Sequence, residues 1–167
     1  MATQSQIRID VNFACAHEQR CRAVYERQNR RIQRLCQWMA ADIRQGRELA
    51  VRVFAEACGG PDAAGDDRPA NPERLAEALA LEFRGLFHGV SPAAGPRLVA
   101  RDPAAGAPVQ AALAALPPSH RLLYLLHELE GCAPQKIAGW LQISASDCAR
   151  IIHEARLQMR RMLLSAA

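Results

Sequence analysis

The stretch "PQKIAGWLQISASDCARII", Pro134 to Ile152, decides how this chain is built. A helix-forming run opened by Ala133-Pro134 is followed by a short break at Gln142-Ile143-Ser144, then by a second helix-forming run that Ser144 is suited to cap. Two helices at that spacing make a helix-turn-helix, the unit whose second helix enters a DNA groove in many DNA-binding proteins. The second run carries Cys148, Ala149 and Ile151 where a DNA reader usually presents basic or polar side chains. The spacing points to a DNA-binding scaffold, and the side chains to an impoverished reading face.

The residues around this unit complete a small helical bundle. "VQAALAAL" stops at Pro117-Pro118. Ser119 is the expected cap of "HRLLYLLHELE", in which Leu122, Leu123, Leu125, Leu126 and Leu129 give a broad apolar surface, and Gly131 ends that helix. In the last helix Cys148, Ile151, Ile152, Ala155, Met159 and Met162 recur at helical spacing and form its inward face.

Composition agrees with an all-α chain. Half of the 167 residues are apolar but only 5% are aromatic. Alanine and leucine dominate, and they lose little entropy in a helix. From His17 to Gln45, Cys21, Val24, Tyr25, Ile32, Leu35, Cys36, Met39 and Ile43 mark one face of a long helix, with arginines on the other. A break at Gln45-Gly46 is expected, then a second stripe of Leu49, Ala50, Val53, Phe54 and Ala57. Ahead of these, "IRIDVNF" (Ile7–Phe13) alternates apolar and polar residues and reads as an arm or short strand. A third helix runs from Pro72 to His88, with Asn71 as N-cap and Leu75, Leu79, Phe83, Leu86 and Phe87 inward.

The Gly- and Pro-rich stretches Gly59–Pro72 and Gly89–Pro108 read as a loop and an interdomain linker. The expected architecture is therefore two small helical domains, residues 14–88 and 109–167, joined by a linker over 89–108. The C-terminal domain is expected to be a four-helix bundle containing the helix-turn-helix.

Charge and cysteine usage narrow the partners. The formal charge is +4, with a basic excess at both ends of the chain and an acidic middle, a distribution compatible with a polyanionic partner. No apolar run approaches the ~20 residues a membrane span needs, and the N-terminal residues lack the order of a signal peptide. A cytoplasmic protein with six reduced thiols is expected. Cys15, His17 and Cys21, with Cys36 or Cys58 completing the set, could gather around a metal ion, but no tight CxxC pair accompanies them, and structural zinc sites usually have one. The reading is of buried or incidental thiols, with no metal and no cofactor. No nucleophile–base pair, phosphate loop or set-apart acidic pair suggests an enzyme.

Ala112 to Leu163 resembles region 4 of bacterial RNA polymerase sigma factors of the extracytoplasmic-function group. The resemblance is carried by Leu113, Leu116-Pro117, Arg121, Leu126, Glu128, Glu130-Gly131, Ile137-Ala138, Leu141, Ile143-Ser144, Ala155-Arg156 and Arg160, in order. Tyr25–Asp42 followed by Arg47–Ala57 is similar to the family's region 2, a long helix and then the polymerase-binding helix. The resemblance implies a transcription initiation factor whose partners are RNA polymerase core and a −35-like promoter element. Leu49, Val53 and Phe54 would frame the polymerase-binding helix, with Glu48 as its charged contact; Ser144, Ser146, Arg150, His153 and Arg156 would face DNA.

The chain departs from the family where function is most exposed. The tryptophan-leucine start and Asn…Asp…Arg series that melt the −10 element are not reproduced between Gly59 and His88. In the recognition helix, Ala149 and Ile151 stand at basic positions, and Gln142 replaces the turn glycine. These losses leave a second expectation: a sigma-shaped interaction protein, an anti-sigma decoy or polymerase-binding regulator, that no longer reads promoters.

Overall fold

A computed structural model describes residues 4–40, 42–59, 71–88 and 107–165, with the side chains of 4–18, 20 and 107 outside the description. The described residues are all-helical. In chain order they form α1 (Gln4–Met39), α2 (Ile43–Ala57), α3 (Pro72–Glu82), α4 (Ala107–Ala115), α5 (Pro118–Tyr124), α6 (Pro134–Leu141) and α7 (Ala145–Ser165). A 3₁₀ turn, Arg84–Phe87, follows α3, and a π-helical turn, Leu125–Leu129, extends α5.

The N-terminal stretch Ile7–Phe13 is helical, not an arm or strand, and belongs to α1. No glycine or proline interrupts Gln4–Met39, and a lone strand has no ladder to satisfy its backbone, whereas a helix satisfies its own. The break between the first two helices also lies earlier than the glycine suggested. It falls after Met39, and Asp42 caps α2 by accepting a hydrogen bond from the Gln45 amide at 2.8 Å.

Gly46 therefore sits inside α2, and its role is packing. A Cβ there would stand 3.0 Å from Gln37 Cγ and 3.1 Å from Gln37 Cα, so the glycine lets the start of α2 close on the end of α1. Gly46→Val should destabilise the fold by about 1–3 kcal/mol through overpacking, despite valine's better helix propensity. Chemical denaturation of the two proteins measures the difference.

α3 begins as expected, with Asn71 Oδ1 accepting from the Arg74 amide at 2.9 Å and Pro72 in the first turn. The α-helix ends at Glu82 rather than His88; the chain tightens into the 3₁₀ turn around Gly85, leaving Phe83, Leu86 and Phe87 half-buried. At the start of α5, Pro117 rather than Ser119 occupies the cap position, because Pro118, lacking an N–H, belongs at the first helical residue. The Ser119 hydroxyl instead meets His120 Nδ1 at 3.3 Å.

The expected apolar stripes are buried over most of their length, except that Tyr25 and Leu129 are 45% and 49% exposed. Ile32, Leu35, Cys36 and Met39 of α1 pack with Leu49, Val53 and Phe54 of α2 and with Leu75 and Leu79 of α3. Leu113, Leu122, Leu123, Leu126, Ile137, Leu141, Cys148, Ile152, Ala155 and Met159 fill the C-terminal helices. These two sets join in one continuous core.

Polar contacts bind the same halves together. Arg31 of α1 grips the carboxylate of Glu130, with Nε 2.9 Å from Oε1 and Nη2 on Oε2. Lys136 of α6 lies 2.6 Å from Glu73 of α3, and His88 Nε2 lies 2.9 Å from the Leu141 carbonyl. The π turn helps to deliver Glu130: the Glu130 amide donates to the Leu125 carbonyl, five residues back, at 3.2 Å.

Arg121, 2% exposed, anchors the junction. Its guanidinium donates to the carbonyls of Leu113 and Ala114 at 2.8 Å each, of Leu116 at 3.1 Å and of Trp38 at 3.2 Å. It thereby closes the carbonyl end of α4 and ties that end to α1. A cation suits this position, where the helix presents its unpaired carbonyls and the negative end of its dipole.

Candidate nucleic-acid interface

The α6–α7 unit is built by backbone chemistry at its turn. Ala133 accepts from the amides of Lys136 and Ile137 at 3.0 and 3.2 Å, starting α6 without a side-chain cap. At the other end the Ile143 amide donates to Ala138 O at 3.1 Å and the Gln142 amide to Gly139 O at 3.3 Å. This pair of bonds is a Schellman stop, which requires a left-handed residue. Gln142 supplies it, with φ 55° and ψ 44°. Ile143 then packs against the core and fixes the direction in which the chain leaves.

A left-handed side-chain-bearing residue is strained by about 1–2 kcal/mol, and glycine is not. Gln142→Gly should thus raise stability by about 1 kcal/mol, read as a higher denaturation midpoint. The same replacement should leave the helical content by circular dichroism unchanged.

Ser144 caps α7, its Oγ accepting from the Asp147 amide at 3.0 Å. The hydroxyl also donates to Asp147 Oδ2 at 2.6 Å and meets Ser146 Oγ at 2.9 Å. The Ser144 hydrogen bond, followed by that from Arg150, holds the Asp147 carboxyl below its ordinary range. A negative charge here favours the start of the helix and opposes an incoming phosphate.

All five residues expected to face DNA are exposed: Ser144, Ser146, Arg150, His153 and Arg156. Their chemistry is uneven. Arg150 is held by Glu154 at 2.9 Å and by Asp147 at 3.4 Å, both on its own helix. Glu154 in turn meets His120 Nε2 at 3.1 Å. Arg156 reaches back to Glu128 at 2.6 Å. Along the outward line of α7, Ala149, His153, Arg156 and Arg160 follow one another at spacings of four, three and four residues. Arg160 is exposed and makes no ion pair among the described residues. Sequence reasoning used it only as a mark of resemblance, although its place on the line with His153 and Arg156 was available from helical periodicity.

Ile151 corrects the reading of two lost basic positions. It is buried in the core between α7 and its neighbours, so a cation there could not reach a groove. The inward stripe of Cys148, Ile151, Ile152, Ala155 and Met159 governs that position, and Ala149 alone is an exposed place where a basic residue is missing.

The polymerase-facing expectations divide in the same way. Leu49, Val53 and Phe54 are 4%, 0% and 8% exposed and hold α2 against α1 and α3, forming the apolar frame of that helix. Glu48 is exposed and lies 3.5 Å from Arg44, one turn back. The side of α2 open to a partner carries Arg47, Glu48 and Val51, with Val51 68% exposed.

The cysteines fall into separate environments. Burial pushes the Cys36 thiol up to about 12 and the Cys148 thiol up to about 11. Cys58, beside Cys21, is pushed up to about 12 by burial and by its hydrogen bond with the Cys21 thiol. Such thiols resist forming the thiolate that a metal or an oxidant requires. The side chains of Cys15 and His17 lie outside the described residues, and among those described no three potential ligands gather. No described helix is long and apolar enough to cross a membrane.

No protein-family model matches the chain, and no curated protein matches it in sequence.

Proposed function

We propose that the chain is a divergent sigma-like transcription initiation factor. It engages RNA polymerase core through the outward side of α2 and binds a −35-like promoter element weakly through α7. The chemistry of transcription belongs to the polymerase. The observation that carries the reading is the turn joining α6 to α7, which supports a helix-turn-helix: a Schellman stop at Gln142, a serine cap at Ser144, and an α7 face carrying Ser146, His153, Arg156 and Arg160 outside the core. The order of elements, a long helix and a second helix ahead of this unit, adds support. The division of labour between residues 14–88 and 109–167 belongs to the same proposal.

Weak DNA binding follows from the charge count. Phosphate contacts supply much of the affinity of such modules, while base contacts supply specificity. The cations of α7 are partly consumed by Asp147, Glu154 and Glu128. Ala149→Lys should tighten binding to duplex DNA and steepen its log–log salt dependence by about 0.9. Ile151→Arg should instead cost at least about 2 kcal/mol of stability through lost apolar burial. An unchanged salt slope in the Ala149→Lys protein would remove α7 from the DNA interface.

A second reading rests on the pairing of Arg150 with two carboxylates of its own helix. On that reading the chain is an interaction protein of sigma shape, occupying an anti-sigma factor or regulating polymerase without reading promoters. Binding to an anti-sigma factor in the absence of core binding distinguishes it.

A further inference from the structure

We propose that the outward face of α1 is a docking surface for the phosphate backbone of duplex nucleic acid, carried by Arg27, Arg30 and Arg34, with Arg22 on the adjoining face. This surface is separate from α7, and the inference stands without the sigma-like reading.

The four arginines are exposed, and none makes an ion pair or hydrogen bond among the described residues. Several other cations are engaged, Arg31 by Glu130, Arg52 by Glu82, Lys136 by Glu73, Arg150 by Glu154 and Arg156 by Glu128, whereas Arg47, Arg160 and Arg161 share the exposed, unpaired state elsewhere on the surface. Arg27, Arg30 and Arg34 follow at spacings of three and four residues, so they lie on one side of the helix with like charges as nearest neighbours. That arrangement works against the helix carrying it. Glu26 is the one acid among the exposed positions described on α1.

At a rise of about 1.5 Å per residue, Arg27 to Arg34 spans roughly 10 Å, and Arg22, five residues ahead of Arg27, stands on the adjoining face of the helix. Gly46 backs onto Gln37, one turn beyond Arg34, and brings in the first turns of α2 with exposed Arg44 and Arg47.

Duplex nucleic acid fits this surface better than an acidic protein does. A stable protein interface needs apolar or aromatic anchors in its centre. The stripe offers none among the described residues; Tyr25, the large apolar side chain exposed among those described on α1, turns its ring edge-on to Phe54 at 5.0 Å between centroids. A duplex presents one phosphate per about 1.7 Å of axis, enough to face every arginine of the stripe. Guanidinium also binds phosphate through two parallel hydrogen bonds.

The test uses the full chain and a fluorescent duplex of arbitrary sequence, titrated between about 50 and 200 mM NaCl. The triple variant R27Q/R30Q/R34Q should lose at least tenfold in affinity at the low-salt end, and its log–log slope should fall by about 2.7, or 0.9 for each of three lost contacts. Its melting temperature should equal or slightly exceed that of the parent, because the three side chains are exposed, unpaired and mutually repulsive. The conservative triple R27K/R30K/R34K should keep the slope. The same loss should appear in an Arg160→Gln background, which separates a failure of this surface from a failure of α7. Undiminished binding by the glutamine triple, or no binding by the parent protein at the lowest salt, would overturn the proposal.

Discussion

Arg121→Ala should lower the stability of the protein by about 3–5 kcal/mol, because several buried carbonyls lose their donor at about 1–3 kcal/mol each. The substitution strips hydrogen bonds from the carbonyls of Leu113, Ala114, Leu116 and Trp38 and leaves them inside the fold. That cost is partly offset because the arginine no longer has to be desolvated. Burial already lowers the affinity of this guanidinium for its proton, the signature of that desolvation. Arg121→Lys should recover only part of the loss, since an ammonium cannot spread its donors across carbonyls from two helices as the planar fork does. A domain stable by about 5–15 kcal/mol cannot absorb the alanine variant without a large fall in melting temperature. Because Trp38 belongs to α1, the loss should be felt in both halves of the chain. Hydrogen exchange on α1 and α4 would read it directly.

Phe54→Ala should cost about 3–5 kcal/mol, as expected for deleting a core aromatic ring. The ring is 8% exposed and meets Tyr25 edge-on. The outcome separates two roles that the sequence alone left joined. A residue that contacts polymerase directly would lose affinity with its melting temperature intact; a residue that holds α2 in place would lose both. Val51→Ala is the complementary probe. At 68% exposure its side chain supports little of the fold, so its removal should leave the melting temperature nearly unchanged and weaken any partner that docks on the outward side of α2.

The residues that proved legible in the sequence are those whose structural role is local. Asn71 and Ser144 cap the helices they precede because the cap geometry involves only four consecutive residues of chain. The apolar stripes of α2 and α7 follow from period alone, and Gln142 sits at the left-handed position where a glycine was missing. What escaped was set by distance. Arg121 could be picked out as a marked position, but its Trp38 partner lies 83 residues away. Glu130 and Arg31 are 99 residues apart, and nothing near either announces the other.

Gly46 misled because glycine ends helices and also lets helices approach, and only the presence of Gln37 opposite decides between the two. The π turn at Leu125–Leu129 left no mark in composition, although it helps to aim Glu130. Ile151 was claimed both by the apolar period and by the pattern of a recognition helix, and the core took it. Of the candidate interface, exposure was legible and charge was not. Arg150 and Arg156 are exposed, but their carboxylate partners include Glu128, on another element.

The central claim is that this chain engages RNA polymerase core as a sigma-like factor. Its most direct test is binding of the folded full-length protein to core enzyme while a housekeeping sigma factor is titrated in. The account predicts saturable binding that the competitor displaces, and weakened binding by the Val51→Ala protein. Absence of binding by protein that melts cooperatively, or binding that the competitor leaves untouched, would contradict it.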